Sequence, residues 1–237
     1  MILEAVADNQ PIGLSELARR LDLPKSTVQR SLATLADLGW IRFDGKDSTR
    51  WTLGDRVRLL SERIDDLGRL RECAMPSLAQ LNSDTLETIH LAVLDDDHVR
   101  LIERLESKHA LRLVQPIGAR SPLHASSTGK AILARLPEDE VDAYLERGLQ
   151  RMTAHTLTDP RSLRDDLDAT RSRGYAIADE ELIEGIVSVG ACVQSEAGRP
   201  MGSISISGPS SRMTPEVHAY GKLVAAAAND VAARLRA

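Results

Sequence analysis

Along the first third of the chain, apolar positions fall mainly at helical spacing. Ile2, Leu3 and Val6 predict a short helix over residues 1–8. Pro11 and Gly13 mark 9–13 as a turn. Leu14, Leu17, Ala18 and Leu21 then share one side of a second helix, with Ser15 as its expected N-cap. Asp22 and Leu23 form a very short connection into a third helical stretch over 23–39. At about 100° per residue, Leu32 and Leu35 lie within roughly 40° of Val28. Ser26, Arg30 and Ala33 fall opposite, flanked by Thr27 and Gln29. Pro24 is expected at the first helical position, where a missing N–H is harmless, and Gly39 as the C-terminal stop.

Beyond Gly39 the period changes. Trp40, Ile41 and Phe43 predict a strand, 45–49 a turn, and 51–53 the return strand of a hairpin. Two tightly joined helices followed by a hairpin match the winged helix-turn-helix pattern. Residues 55–72 return to helical spacing through Val57, Leu59, Leu60, Ile64, Leu67 and Leu70, and Pro76 is expected to break the helix near its far end.

From about residue 73 the pattern is mixed. Helices are expected at 77–81, 131–136, 138–148, 162–173 and 214–236, the last rich in Ala. Strands are expected at 88–94, 98–105, 111–115, 175–178, 186–194 and 201–207. The fold class is therefore α+β with two domains, the second around a mostly antiparallel sheet. The expected boundaries are 1–54 for a DNA-binding domain, 55–72 for a linker helix and 73–237 for the second domain.

Composition narrows the function. Aromatics make up 3% of the 237 residues, so the cores must be built from Leu, Ile, Val and Ala. No apolar run approaches the roughly 20 residues of a membrane span, and no secretory signal pattern opens the chain. Cys73 and Cys192 lie far apart and fit a reduced, cytoplasmic protein. No Cys or His pair has ligand spacing, so neither a metal nor a cofactor is expected. The net charge of −5 does not advertise nucleic-acid binding. Within 1–55, seven basic residues (Arg19, Arg20, Lys25, Arg30, Arg42, Lys46, Arg50) stand against eight acidic ones. Between Arg19 and Arg30, however, the only acidic residue is Asp22, and phosphate contacts need only a basic face.

The runs LSELARRLDLPKSTVQRSLATLADLGWIR, WTLG, PLHASSTGKAILA, RSRGYAIADEE, GACV and GSISISGPSSR, in this order over nearly the whole chain, resemble the isocitrate lyase regulator (IclR) family of bacterial transcription factors. The family carries several more residues before the first helix than this chain does. The resemblance implies a winged helix-turn-helix domain, a linker helix and a GAF-like effector domain. It also implies a homodimer or homotetramer on palindromic, double-stranded operator DNA, acting as repressor or activator.

The DNA-reading candidates are Lys25, Ser26, Thr27, Gln29 and Arg30. Arg can bind guanine and Gln adenine in two-pronged fashion, while Ser and Thr hydroxyls suit phosphate. Lys46 and Arg50 on the hairpin are candidates for phosphate or minor-groove contact, with a merely solvated hairpin as the equal alternative. In the second domain the run 126–130 leads straight into a helix and superficially looks like a phosphate loop. His124 occupies the first Gly position and Ala131 the final Ser or Thr position, so nucleotide binding is not expected.

By resemblance, the effector pocket falls on Ser127, Thr128 and Gly129, on Ala178 or Asp179, on Ser188, and on Ser205 and Ser207. Family members often carry an acidic residue where Ala178 stands and a cysteine where Ser188 stands, which implies a different ligand from that of the founding member. Ser203, Ser205 and Ser207 share one strand face. Leu111, Leu113 and Ile186 are expected mainly as core, with a pocket wall as the alternative. Hydroxyl and N–H donors suit a small carboxylate or a hydroxylated aromatic acid. A hydrolase-like enzyme built on His124, Ser126 and Ser127 is the alternative, but no G-x-S-x-G elbow is present. His90 and His98, eight apart on expected strands, have no carboxylate spacing that argues for a metal. A pure protein-interaction module using the last helix is the third reading.

Overall fold

The computed structural model describes residues 1–44, 47–57 and 65–236. The chain divides into two compact units, Met1–Asp66 and Leu67–Ala237. Helix α1 (Ile2–Asn9), strand β1 (Ile12–Gly13), helices α2 (Leu14–Leu21) and α3 (Lys25–Asp37), and strands β2 (Ile41–Asp44) and β3 (Asp47–Leu53) belong to the first. Val6, Ile12, Leu17, Val28, Leu32 and Ile41 form its core.

Three details differ from the sequence reading. The stretch 9–13 is more than a turn, because Ile12 and Gly13 pair with Trp51 and Arg50 and extend the hairpin to three strands in the order β1-β3-β2. Gly13, extended at φ −88° and ψ 156°, becomes the N-cap of α2, so Ser15 falls inside the first turn and makes no cap bond. Pro24 is the N-cap of α3 rather than its first residue, since its ψ of 136° is extended.

The end of α3 follows the expectation. Gly39 takes φ +75°, its N–H donates to Ala36 O at 2.9 Å, and Trp40 N–H donates to Leu35 O at 2.9 Å. This pair of bonds closes the helix through a left-handed residue. Gly54, at the end of the WTLG run, packs so closely that a Cβ would lie 2.3 Å from Gly39 O. Residues 55–57 continue as helix. The remainder of the expected linker, 58–64, lies outside the described residues, as does Lys46.

The second unit is organised around a six-stranded antiparallel sheet in the order β6-β5-β4-β9-β8-β7. Its strands are β4 (Thr88–Asp95), β5 (His98–Leu105), β6 (Arg120–Pro122), β7 (Ala176–Asp179), β8 (Ile186–Gln194) and β9 (Pro200–Pro209). Alternation gives the sheet two chemically distinct faces. One carries Ile89, Leu91, Val187, Val189, Ile204 and Ile206, which pack on helix α4 (Asp65–Thr85) and helix α8 (Ser210–Arg236). The other carries small and polar residues and is partly covered by helices α5 (Ser127–Leu133), α6 (Glu138–Glu146) and α7 (Pro160–Arg173).

Pro76 does not break the helix; it lies inside α4. A proline in a helix interior costs about 3 kcal/mol, but Pro76 is exposed while Leu70, Ala74, Leu78 and Leu81 are buried on the opposite side. Burial of that stripe holds the helix through the defect.

The expected strand over 111–115 is also absent. Leu111 is 69% exposed, and the segment's carbonyls are taken by side chains: Leu111 O by Arg212, Leu113 O by Thr88 Oγ1 and Gln115 O by Arg104. Short β6 occupies the sheet edge instead. Helix α5 begins at Ser127, four residues earlier than its apolar spacing suggests, because Ser126 caps it through a bond from Gly129 N–H at 3.1 Å.

Candidate functional site

In the first unit, α2 ends on Asp22, which takes a left-handed conformation at φ 51°, and Leu23 N–H donates back to Ala18 O at 3.0 Å. This tight turn delivers α3 with Val28 and Leu32 buried and Lys25, Ser26, Gln29 and Arg30 exposed; Thr27 is half-buried. Among the described residues, no side-chain hydrogen bond or ion pair engages Lys25, Gln29 or Arg30. Their cationic and amide groups therefore remain available on one surface.

Arg50 is differently placed. Its Nη1 donates to Pro11 O at 2.8 Å, so it braces β3 against the segment after α1. Phe43, 49% exposed, stacks on Trp51 with ring centroids 4.0 Å apart. The sequence reading used both only as strand formers.

In the second unit, the polar face of the sheet, the start of α5 and two loops enclose a cavity of about 550 Å³ including its mouth. Six of the positions singled out by resemblance converge on it: Ser127, Thr128, Ala178, Ser188, Ser205 and Ser207. The register explains why, since Ala178 pairs with Ser188 and Ser188 with Ser207 on adjacent strands.

Gly129 and Asp179 do not line the cavity. Asp179 alternates to the opposite face from Ala178 and is exposed. Gly129 permits close packing instead, since a Cβ there would lie 2.3 Å from Leu123 O. Gly190 has the same role on the sheet side, where a Cβ would meet Ser127 C and O at 2.8 Å. Ser203 shares the face of Ser205 but lies between Ala92 and Cys192, which pack with Ile132, Leu133, Leu163 and Leu167 of α5 and α7.

Leu113 and Ile186 contribute apolar wall rather than core, and Leu111 does neither. The sequence reading missed Gln115, Ser121, Leu182, Ile183 and, above all, His90 as wall residues. The available signal for His90 was its alternation with Ile89 and Leu91 on β4, which puts it on the polar face, opposite Ser205.

The wall of this cavity contains no Asp, Glu, Lys or Arg. His90 is 4% exposed, and its Nε2 has no hydrogen-bond partner. Burial, reinforced by the Arg104 guanidinium across the strand pair, pushes its pKa down from 6.5 to about 4, so the ring is neutral at physiological pH.

Beneath the wall, Lys130 is fully buried, with Nζ 2.7 Å from Glu181 Oε1 and 2.8 Å from Asp166 Oδ2. Glu181 belongs to the loop that carries Leu182 and Ile183 into the wall, and its backbone carbonyl accepts from Thr156 Oγ1 at 2.7 Å.

The His124–Ser126 neighbourhood does not form a nucleophile and base. His124 Nε2 lies 2.8 Å from Gln150 O, which can only accept, so Nε2 carries the proton. Nδ1 therefore accepts from the Tyr144 hydroxyl at 2.6 Å, and Ser126 Oγ donates to Pro122 O at 3.0 Å. Every one of these groups is already used structurally. Among the described residues no cluster of His, Cys, Asp or Glu could hold a metal ion, and no helix is long and apolar enough to cross a membrane.

The comparisons with known proteins fit this geometry. Residues 1–45 match the IclR helix-turn-helix domain, and residues 66–233 match the family described as bacterial transcriptional regulator IclR C-terminal. The chain is 37% identical over 235 residues to the transcriptional repressor IclR of Escherichia coli (strain K12), covering 97% of this chain and 85% of that protein. It is 38% identical over 214 residues to the HTH-type transcriptional regulator BhcR of Paracoccus denitrificans (strain Pd 1222), covering 90% of this chain and 76% of that protein.

Among solved structures, the Thermotoga maritima IclR superposes with a TM-score of 0.77 at 28% identity, covering 99% of this chain and 95% of that chain. An IclR homolog complexed with 4-hydroxybenzoate from Microbacterium hydrocarbonoxydans superposes with a TM-score of 0.82 at 27% identity, covering 99% of this chain and 96% of that chain. With a helix-turn-helix presenting a polar helix face and a hydroxyl-lined cavity in the second unit, this chain belongs to the IclR family: it is a DNA-binding transcriptional regulator with an effector-binding domain, not an enzyme.

Proposed function

We propose that the regulator acts in the cytoplasm as a homodimer or homotetramer, reads a palindromic operator and responds to a small organic acid, aliphatic or hydroxylated aromatic. In this reading Lys25, Ser26, Thr27, Gln29 and Arg30 contact DNA, with Lys46 and Arg50 adding contacts from the hairpin. Residues 1–54 read DNA, 55–72 connect, and 73–237 sense the effector. The observation that carries the ligand class is the cavity wall. It offers hydroxyls, an amide and an imidazole beside apolar patches, and has no carboxylate to repel an acid. The 4-hydroxybenzoate complex of the Microbacterium homolog supports the same class.

Control follows from differential affinity. An acid that binds one arrangement of effector domains better shifts the population toward it, and the connecting segment passes that choice to the spacing of two recognition helices. The test is to select operator duplexes from a random library with the full chain. The selected duplex is then titrated at fixed salt with acetate, pyruvate, benzoate and 4-hydroxybenzoate. A shift in operator affinity with at least one acid is expected. Binding of an acid with no change in operator affinity or oligomeric state defeats the mechanism.

A further inference from the structure

Among the described residues, the cavity wall contains one fully buried side-chain atom that the fold leaves without a hydrogen-bond partner. The Ser126 hydroxyl is used in capping α5 and in bonding Pro122 O, and Thr88, beside the wall on the same face of β4, bonds Leu113 O. His90 Nε2 has no such bond, although the residue is 4% exposed. An unmatched polar atom at that depth destabilises a fold unless something outside the fold completes it. Its surroundings are specific. Ser205 stands opposite on β9, Ala92 follows on the same face, and Arg104 stands opposite on β5 with its guanidinium bonded to Gln115 O and to Glu106. The ring therefore lies where a bound molecule meets the sheet, between hydroxyl and apolar wall, with one cation behind it.

We propose that His90 is a specificity-determining residue of the effector site: its imidazole bonds an oxygen of the bound acid through a ring nitrogen, and the site selects acids that present an oxygen there. This rests on the cavity being the effector site. A site that leaves a buried polar group unpaired in the wrong complex rejects the analogue lacking the matching group. The acid chosen by this chain is one whose oxygen atoms reach both the hydroxyl wall and the β4 imidazole, so analogues differing by one hydroxyl bind unequally.

The experiment compares the full-length wild type with His90→Leu and His90→Asn by thermal unfolding, with and without acetate, pyruvate, benzoate and 4-hydroxybenzoate. Without acid, His90→Leu is expected to melt a few degrees higher, because an unmatched buried nitrogen has been removed. With acid, the shift seen in the wild type should fall at least tenfold in apparent affinity in His90→Leu and recover in part in His90→Asn, which retains a polar group. A purely structural His90, satisfied within the fold or by a fixed water, gives the opposite sign: both variants melt lower without acid, and the inference is overturned. An acid that shifts wild type and His90→Leu equally also overturns it, while leaving the cavity as the effector site. If no acid in the panel shifts the wild type, the organic-acid reading fails first and the inference falls with it.

Discussion

Lys130 Nζ stands 2.7 Å from Glu181 Oε1 in the interior of the second unit, joining the helix that begins at Ser127 to the loop that brings Leu182 and Ile183 to the cavity. Asp166 of α7 holds the same ammonium at 2.8 Å, so one buried cation serves two carboxylates. Burial raises the Glu181 pKa, and the Lys130 charge opposes that rise. Two elements of the cavity wall, the start of α5 and the 182–183 loop, are thus tied to each other and to α7 through one ammonium.

Removing the cation should be severe. Lys130→Met leaves the buried Glu181 without its cation, while Asp166 keeps only Arg173 Nη2 at 3.2 Å, and breaking a buried pair in this way costs about 3–5 kcal/mol. Urea unfolding followed by a signal from the second unit should show that loss. A triple variant, Lys130→Met with Glu181→Leu and Asp166→Asn, should recover most of it. Equal stability of Lys130→Met and wild type would show that the triad holds nothing together.

On the DNA side, Arg30→Ala should weaken operator binding by about 1–3 kcal/mol at fixed salt while leaving the melting temperature unchanged, because the side chain is exposed and Val28 and Leu32 carry the packing. Lys25→Ala should instead lower affinity for all sequences and reduce the slope of log affinity against log salt by about 1. Anisotropy titrations over a salt series separate the two roles.

Acid should weaken the second unit through His90. Its pKa is pushed down from 6.5 to about 4 in the fold, first by burial and then by Arg104. Between those values the unfolded chain takes up a proton that the folded chain refuses. The titration costs the fold nothing above pH 6.5 and destabilises it progressively as the pH falls toward 4, by about 3 kcal/mol in all. His90→Leu should flatten this part of the stability-against-pH curve; an unchanged slope would mean that another group titrates there.

The seating of α5 on the sheet should tolerate no side chain at two glycines. Gly190→Ala would press a methyl to 2.8 Å from the Ser127 backbone, and Gly129→Ala would press one to 2.3 Å from Leu123 O. Both neighbours are backbone, so relief requires moving the start of the helix, with overpacking costs of about 1–3 kcal/mol or more. Gly190→Ala should therefore lower both stability and effector affinity, measured by thermal shift with and without acid. An unshifted effector affinity would separate Ser127 from binding.

Much of the recognition unit was legible because its determinants are local. Val28, Leu32 and Leu35 set the buried side of α3 by spacing alone, and Gly39 marks its end because only a residue at ease with positive φ closes a helix that way. The local signals failed where a neighbour distant in sequence took over. Ser15 looks like a cap, yet pairing of Gly13 with Arg50 moved the helix start. Pro76 looks like a break, yet buried Leu70, Ala74, Leu78 and Leu81 carry α4 through it. Leu111 and Leu113 look like strand, yet Arg212 and Thr88 claim their carbonyls.

Read alone, the sequence determined most of the helices and strands, the two-face chemistry of strands such as Ser203–Ser205–Ser207, and the polar face of α3. These follow from period and residue type within a few turns of chain. Only the tertiary structure decided which polar residues meet. Ser207, Ser188 and Ala178 become neighbours through strand register, Ser127 reaches them because Gly190 allows the approach, and His90 is left unmatched by its position on a central strand. Register and close approach are properties of pairs far apart in sequence, and a pattern read along one strand does not contain them.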